Sequence, residues 1–205
     1  MGSLRLEHVG IPERFLALGD SFTIGTGTTP DRSFPAELVR LWSETGREVL
    51  LENPAVNGFT TDDLIREELP LVAAFHPTFV TLLIGANDIV RGSADDRYRA
   101  QLALIHERIR ADASRVTVWA LPQPDWSLSP AGSAFGAPAD VARTIERFND
   151  IAREEAEHAG ARWIDLFPLM RAQGRKRMFA PDGLHPSAAA YAEWARDLAT
   201  RASAL

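Results

Sequence analysis

Four short segments that lie far apart in the chain hold the residue types needed to move an acyl group from an ester onto a serine. The segments are Gly19-Asp20-Ser21, Asn57-Gly58, Gly85-Ala86-Asn87-Asp88 and Asp182-Gly183-Leu184-His185. A hydroxyl nucleophile, fixed N–H donors, an imidazole base and a carboxylate are the groups that this reaction uses. Each segment alone is an ordinary turn pattern. The four together, in this order, predict a serine hydrolase that acts on ester bonds.

The predicted nucleophile is the hydroxyl of Ser21, which needs a base to take its proton. Among the five histidines, His185 is the candidate, because Asp182 lies three residues before it with Gly183 between them. We expect Asp182 or a nearby backbone carbonyl to accept a hydrogen bond from Nδ1–H, which leaves Nε2 free to face Ser21. The other histidines are interpreted as surface or core residues: His8, His76, His106 and His158.

Three N–H donors are predicted to stabilise the negative oxygen that forms when an ester carbonyl is attacked. They are the backbone N–H groups of Ser21 and Gly58 and the side-chain amide of Asn87. Glycine suits position 58 because a residue without a Cβ lets its backbone approach the substrate closely. Each such donor lowers the reaction barrier by roughly 2.7–4 kcal/mol. Two neighbouring acids, Asp20 and Asp88, are interpreted as structural groups that bind backbone N–H.

Apolar runs alternate with segments of helical periodicity along the chain, and this alternation positions the four segments. The runs that predict strands cover residues 15–18, 48–52, 78–84, 116–121 and 161–164. Helical periodicity covers residues 34–44, 97–112, 141–158 and 186–202. Ser33 is the expected N-cap of the first of these helices. A further helix begins at Thr61, and Pro70 is expected to kink or restart it.

This alternation predicts an α/β fold: one parallel sheet of five strands with helices on both faces. Residues 1–205 are expected to form a single domain. In a doubly wound sheet of order 2-1-3-4-5, ligands bind at the carboxyl edge where the strand order reverses, between strands one and three. Ser21 follows the first strand and Asn87 the third, so we expect them to meet although 66 positions separate them. Gly58 follows the second strand at the same edge.

Composition excludes several other classes of protein. The chain has 205 residues, 45% of them hydrophobic and 24% charged, and a formal net charge of -6. The negative charge argues against nucleic-acid binding, and the short basic run Arg175-Lys176-Arg177 is interpreted as a solvated loop. There is no cysteine, which excludes disulfides and thiolate sites. No apolar stretch is long enough for a membrane span, and no signal peptide is apparent, so a cytoplasmic location is predicted. We predict no metal and no cofactor.

The four segments resemble the sequence blocks of the SGNH hydrolases, also called GDSL esterases and lipases, over the chain from Phe15 to the final helix. The resemblance implies a flavodoxin-like, three-layer α/β/α fold and hydrolysis through an acyl-enzyme. It also implies a triad of Ser21, Asp182 and His185, with Ser21, Gly58 and Asn87 forming the oxyanion hole. One residue departs from the family pattern: Phe22 stands where the family name implies leucine.

Apolar residues beside the catalytic candidates are predicted either to form an acyl pocket or to be ordinary core. They are Phe22, Phe59, Ile89, Val90, Phe179 and Leu184, together with Trp126. Trp126 belongs to the irregular segment 122–138, and a segment of that length is commonly functional. It is expected to act as a lid or to line the leaving-group side. The compact chain favours small short-chain acyl or acetyl esters, including esters of sugars, over long lipids.

Two other functions fit the same residues. The site is equally suited to passing the acyl group to an acceptor alcohol or to cleaving thioesters, because attack and oxyanion stabilisation are shared by these reactions. A non-catalytic binding module on the same scaffold is the alternative from a different class. The presence of both Ser21 and His185 argues against that alternative.

Overall fold

The computed structural model describes residues 12–202, so His8 lies outside the described residues. Five strands form one sheet, and every neighbouring pair is parallel. The strands are β1 (Glu13–Gly19), β2 (Val49–Glu52), β3 (Phe79–Leu83), β4 (Thr117–Ala120) and β5 (Arg162–Trp163). Their order is β2-β1-β3-β4-β5, which confirms the predicted order and its reversal point between β1 and β3.

The register of β1 and β3 brings the ends of these two strands level. Gly19, the last residue of β1, is paired with Leu83, the last residue of β3. All five residues of β3 are buried, as expected for a central strand covered on both faces. Because both strands end at the same height, the residues that follow them emerge side by side at the carboxyl edge of the sheet.

Nine α-helices lie among the described residues. They are α1 (Ser21–Ile24), α2 (Phe34–Glu44), α3 (Thr61–Asp63), α4 (Pro70–Phe75), α5 (Ala86–Val90), α6 (Asp95–Asp112), α7 (Pro138–His158), α8 (Phe167–Arg175) and α9 (Ala188–Ala202). A π-helical turn, Leu64–Glu68, continues α3. The next helix starts at Pro70, so the predicted restart at this proline is confirmed.

Two hydrophobic cores cover the two faces of the sheet, because alternate strand residues point to opposite sides. Phe15 and Ala17 of β1 pack in one core with α2, α8 and α9. Leu16 and Leu18 pack in the other with α4 and α6. Helix α7 contributes residues to both cores. Among residues 12–202, no helix is both long enough and apolar enough to cross a bilayer.

Some local structure differs from the sequence-based expectation. Ser33 occupies the position before α2, but its hydroxyl donates to the carbonyl of Pro30 at 2.8 Å instead of capping the helix. Helix α8 was not predicted at all, and Arg175 is its last residue, so the exposed basic run is only partly a loop. Helix α7 begins at Pro138, so the irregular segment covers residues 122–137 in the structure. It contains two short 3-10 helices, Trp126–Leu128 and Gly132–Phe135.

Candidate active site

Ser21 stands at the first position of α1, immediately beyond the end of β1. The preceding residue, Asp20, caps this helix: its Oδ1 accepts a hydrogen bond of 3.0 Å from the N–H of Phe22. The predicted structural role of Asp20 is thereby confirmed. Glycine is required at position 19, because a Cβ there would collide with the carbonyl oxygen of Leu83 and the hydroxyl of Thr23. Ser21 is 5% exposed and faces a surface cavity.

The loop after β2 brings Gly58 to the same edge of the sheet. Gly58 has φ of +89°, a backbone conformation that favours glycine. Two side chains from the β3–α5 region hold this loop: Asn87 Nδ2 donates to the carbonyl of Phe59 and Arg91 Nη2 to the carbonyl of Gly58, both at 2.9 Å. An amide nitrogen carries two hydrogens, so Asn87 keeps a second donor. The loop carrying Gly58 is therefore fixed relative to Asn87.

Asp88 binds backbone, as predicted, and links the same two regions. Its Oδ2 accepts from the N–H of Thr61 at 3.0 Å, and its Oδ1 accepts from the hydroxyl of Thr61 at 2.5 Å. Burial raises the pKa of Asp88, although these hydrogen bonds oppose the effect. The carboxyl of Asp88 thus attaches the start of α3 to α5 and holds the second and third segments together.

A tight turn joins Asp182 to His185. Oδ2 of Asp182 lies 2.7 Å from Nδ1 of His185, and Oδ1 of the same carboxyl accepts from the N–H groups of Leu184 (2.9 Å) and His185 (3.0 Å). Burial acts to raise the pKa of Asp182, but these hydrogen bonds and the imidazole outweigh it and lower the pKa. With Nδ1 engaged by the carboxylate, Nε2 of His185 is the ring nitrogen left for other contacts.

Aromatic packing surrounds the imidazole. The ring centre of Phe22 lies 5.4 Å from that of His185 and 6.3 Å from that of Trp126. Trp126 is buried within segment 122–137, which is itself attached to the histidine turn by a 3.0 Å hydrogen bond from the N–H of Ala131 to the carbonyl of Gly183. The imidazole is therefore confined by a ring on one side and by its aspartate on the other.

One cavity of about 110 Å³ joins these elements. Its lining residues are Ser21, Phe22, Asn57, Ala86, Asn87, Val90, Trp126, Phe135, Leu184 and His185. The structure thus brings the predicted nucleophile, the predicted amide donor and the predicted base to a single space. Two side chains at this cavity, Val90 (50% exposed) and Phe135 (40% exposed), are among the most exposed large apolar groups of the described chain.

Several predicted pocket residues lie elsewhere. Phe59 and Ile89 do not line the cavity, and Ile89 packs against both hydrophobic cores. Gly58 itself is not part of the lining, although its neighbour Asn57 is. Phe179 forms an isolated antiparallel bridge with Pro186, beside the histidine turn.

Sequence reasoning missed several residues that support the site. Gly27 packs so closely that a Cβ would lie 3.1 Å from Oδ2 of Asp182 and 2.6 Å from Cβ of Ala180. Position 27 must therefore stay small for the aspartate to reach its place. Arg91 was also missed. For Gly27, the one available signal in the sequence was its close spacing to Gly25.

A larger groove, of about 450 Å³, lies between α6 and α7. Its lining includes His106, Arg110, Glu155 and His158, along with several alanines. It contains no serine, no asparagine and none of the four segments, so it lacks the groups for acyl transfer. The smaller cavity at the carboxyl edge of the sheet is the candidate active site.

This arrangement has the parts for nucleophilic catalysis at an ester carbonyl. An imidazole whose Nδ1 is held by a carboxylate can take a proton at Nε2 from a hydroxyl. N–H donors at the same cavity can bind the oxygen on which negative charge develops. Among residues 12–202, no three His, Asp or Glu side chains are grouped so as to hold a metal ion. The predicted absence of a cofactor stays a prediction.

Comparison with known families agrees with this geometry. The model of the GDSL-like Lipase/Acylhydrolase family matches residues 17–193, a range that includes all four segments. The chain belongs to this family. As a member of the GDSL-like lipase/acylhydrolase family, it is an ester-hydrolysing enzyme. The resemblance to the SGNH hydrolases is confirmed, and family membership argues against the non-catalytic binding module.

Individual members of the family are similar over most of their length. Esterase TesA from Pseudomonas aeruginosa PAO1 is 24% identical over 178 residues, which cover 87% of this chain and 82% of that protein. An arylesterase from Vibrio mimicus is 26% identical over 174 residues, covering 85% of this chain and 80% of that one. The lipase/acylhydrolase from Enterococcus faecalis shares the fold, with a TM-score of 0.74 over 92% of this chain and 94% of its own, at 22% identity.

Proposed function

We propose that this protein is a serine esterase that hydrolyses carboxylic esters through an acyl-enzyme, and that residues 1–205 form one hydrolase domain. The observation that carries the proposal is the 2.7 Å contact between Asp182 and His185, at a cavity that Ser21 and Asn87 also line. Ser21 is the nucleophile, His185 the general base and acid, and Asp182 the group that fixes the imidazole tautomer. The N–H groups of Ser21 and Gly58 and the amide of Asn87 form the oxyanion hole.

The first half of the reaction transfers the acyl group to the enzyme. Oγ of Ser21 attacks the ester carbonyl carbon while Nε2 of His185 takes the hydroxyl proton. The carbonyl π electrons move to oxygen, where the three N–H donors bind the negative charge. When this intermediate collapses, the bond to the alcohol oxygen breaks and the imidazolium gives its proton to that oxygen. The alcohol leaves, and the acyl group remains esterified to Ser21.

The second half uses water as the nucleophile. Nε2 of His185 takes a proton from water as the water oxygen attacks the acyl carbon. The same donors bind the second tetrahedral oxyanion. Its collapse breaks the bond to Oγ, and the imidazolium returns its proton to Ser21. The carboxylic acid departs, and the enzyme is restored.

The cavity supports small acyl groups as substrates. The cavity is small, about 110 Å³, compared with the pockets that bind larger ligands. We expect acyl groups from acetyl to butyryl to be accommodated better than long chains. The walls are largely apolar, with Phe22, Trp126 and Leu184 among them. We therefore propose short-chain acyl esters as the substrate class.

The exposed residues at the cavity support an apolar alcohol part. Val90 and Phe135 offer apolar surface where the cavity meets solvent, and apolar contacts of this kind favour an apolar leaving group. One relative is named an arylesterase. We propose that aryl and other apolar alcohol esters of short acids are better substrates than sugar esters.

The proposal is tested by hydrolysis of p-nitrophenyl esters, from acetate to palmitate, by wild type and by Ser21→Ala. We expect the wild type to hydrolyse the esters from acetate through butyrate faster than the longer ones. Ser21→Ala should lose several orders of magnitude in kcat while keeping its thermal unfolding midpoint. Ser43→Ala is the matched control, because Ser43 is an exposed serine on α2, away from the cavity. Unchanged activity in Ser21→Ala would contradict the proposed nucleophile.

A second readout separates hydrolysis from transfer. A fluorophosphonate should phosphonylate Oγ of Ser21 with release of fluoride, which mass spectrometry of the labelled peptide detects. Labelling without turnover of any ester would indicate an acyltransferase or thioesterase that lacks its own substrate. Turnover that rises when an acceptor alcohol is added, with ester as the new product, would also favour the acyltransferase.

A further inference from the structure

Three buried carboxyl groups lie near one another at the carboxyl edge of the sheet, and all three bind backbone N–H groups. They belong to Asp20, Glu68 and Asp88, each no more than 3% exposed. Across the part of the chain that the structure describes, none of them has an arginine, lysine or histidine within ion-pair distance. A buried carboxylate without a cation is unfavourable, so burial favours the uncharged acid.

Glu68 makes the contact nearest to the start of the nucleophile turn. It is the last residue of the π-helical turn, and its Oε2 accepts a hydrogen bond of 2.9 Å from the N–H of Gly19. Gly19 ends β1, two residues before Ser21. The other oxygen of Glu68, Oε1, is buried and has no hydrogen-bond partner. One carboxyl oxygen thus holds the backbone that leads into Ser21, and the other faces no donor that could stabilise a negative charge.

We propose that Glu68 is a positioning residue for Ser21, and that it works as an uncharged carboxylic acid that fixes the end of β1 through the Gly19 amide. This proposal rests on the proposed role of Ser21 as nucleophile. Gly19 and Asp20 are held from two sides: Glu68 binds the N–H of Gly19, and Asp20 binds the N–H of Phe22. In the chain, Ser21 lies between the two attached residues, Gly19 and Phe22.

The buried acids near Glu68 make its protonation state important, because a second negative charge would be repelled there. The pKa of Glu68 is raised to about 8, mainly by burial, with a smaller contribution from the nearby Asp20 and against the lowering effect of the Gly19 N–H. The pKa of Asp20 is raised to about 7, again mainly by burial, with Asp88 acting in the same direction and the N–H of Phe22 opposing it. Two further titratable groups near Asp20 are the buried phenols of Tyr98 and Tyr191, whose pKa values burial raises, so they stay neutral. Above pH 8, the carboxylates of Glu68 and Asp20 are both charged and repel each other at the turn that carries Ser21.

The test measures the rate at which a fluorophosphonate labels Ser21, from pH 6 to pH 10, in the full-length protein. Wild type is compared with Glu68→Gln, Glu68→Leu and Glu67→Gln. Glutamine keeps an acceptor for the Gly19 N–H and never ionises, whereas leucine removes the acceptor. Glu67 is the neighbouring residue, exposed and bonded only to Arg66, so Glu67→Gln is the matched control.

We expect labelling of wild type and Glu67→Gln to slow above pH 8, and labelling of Glu68→Gln to lack this decline. Glu68→Leu should label about tenfold to a hundredfold more slowly at every pH, the range expected when a reacting group is misplaced by about 1 Å. A purely structural role would not distinguish glutamine from glutamate by the pH profile. Carboxyl chemical shifts in ¹³C-glutamate NMR should place the titration of Glu68 well above that of exposed glutamates.

Three results would overturn the proposal. Equal alkaline decline in wild type and Glu68→Gln would show that ionisation of Glu68 does not matter, even if Glu68→Leu fails to fold. Equal labelling of wild type and a folded Glu68→Leu would show that the contact with Gly19 does not position the nucleophile. Absence of Ser21 labelling in wild type at all pH values would contradict the proposed function itself, and the role of Glu68 would fall with it.

Discussion

The phenyl ring of Phe22 packs against the imidazole of His185, with ring centres 5.4 Å apart and planes tilted by 54°. On its other side it stacks near the indole of Trp126, with an interplanar angle of 21°. The residue that follows the proposed nucleophile therefore contacts both the proposed base and segment 122–137. The sequence analysis placed Phe22 among the pocket candidates, and the structure also gives it a contact with His185.

Replacing Phe22 with alanine should misplace the imidazole, because its aromatic support is lost. We expect kcat/KM for p-nitrophenyl acetate to fall by about tenfold to a hundredfold. Removal of a buried phenyl ring should also lower the free energy of unfolding by about 3–5 kcal/mol. Phe22→Leu, which keeps an apolar side chain, should retain most of both. Steady-state kinetics and urea unfolding measure the two effects, and wild-type activity in a folded Phe22→Ala would contradict a supporting role for this side chain.

Asn87→Ala should remove one oxyanion donor. We expect kcat to fall by about 10²–10³-fold with a smaller change in KM, since the lost interaction belongs to the transition state. Asn57→Ala is the matched control, because Asn57 lines the same cavity but is given no part in the reaction. If both asparagine variants lose the same activity, the loss reflects the shape of the cavity instead of the amide of Asn87.

Phe135→Ala should widen the cavity at its exposed side. We expect kcat/KM for phenyl acetate to fall by roughly tenfold relative to that for methyl acetate, since an apolar contact with the alcohol part is lost and such contacts are worth about 1–3 kcal/mol. Leu104→Ala serves as the control, because Leu104 has the same 40% exposure as Phe135 but lies on α6. An unchanged ratio between the two esters would mean that Phe135 does not contact the alcohol part.

His106 should make the protein less stable in acid. The pKa of His106 is lowered to about 4, mainly by burial; the nearby Glu155 opposes this shift and Arg110 adds to it. The unfolded chain therefore binds a proton that the folded chain excludes between about pH 6.5 and pH 4. Stability from this group is present above about pH 6.5 and is lost as the pH falls toward 4.

We expect urea unfolding at pH 7 and pH 4.5 to show this loss in wild type and to show less of it in His106→Gln. Between pH 7 and pH 4.5, the free energy of unfolding should fall by about 2–3 kcal/mol more in wild type than in His106→Gln, since each pKa unit corresponds to about 1.36 kcal/mol. His158→Gln, at an exposed histidine on the same groove, should behave as wild type. If the free energy of unfolding of His106→Gln falls in acid as much as that of wild type, the proposed role of this histidine is contradicted.

The fold was predictable from the sequence because its signals are local and strong. The run ending at Ile84 contains the five buried residues of β3, and apolar runs of this kind mark central parallel strands. The strand order then placed Ser21 and Asn87 together, and the pairing of Gly19 with Leu83 confirms that placement. Helix α8 was missed because it is short and ends at Arg175, within the basic run that was interpreted as a solvated loop, although Pro168 in its first turn is a helix-start signal.

The support beneath the nucleophile was not predictable, because it depends on tertiary contacts. Glu68 follows Arg66 and Glu67 in a run of three charged residues, a type of residue that is rarely fully buried. The π-helical turn inserts an additional residue per turn, which changes the direction of the side chains that follow. Glu68 is consequently buried while Glu67 stays exposed, and its partner Gly19 lies 49 residues away in sequence. No periodicity in the sequence indicates such a contact.

The hydrogen bond from Ala131 to the carbonyl of Gly183 has a consequence for anyone who wishes to redesign this enzyme. The segment whose Trp126 and Phe135 line the cavity is fastened to the turn that carries the aspartate and the histidine. Inserting or deleting residues in that segment would shift the N–H of Ala131 and, through this hydrogen bond, the turn that carries Asp182 and His185. A library that varies the segment should therefore keep residues 130–132 at constant length.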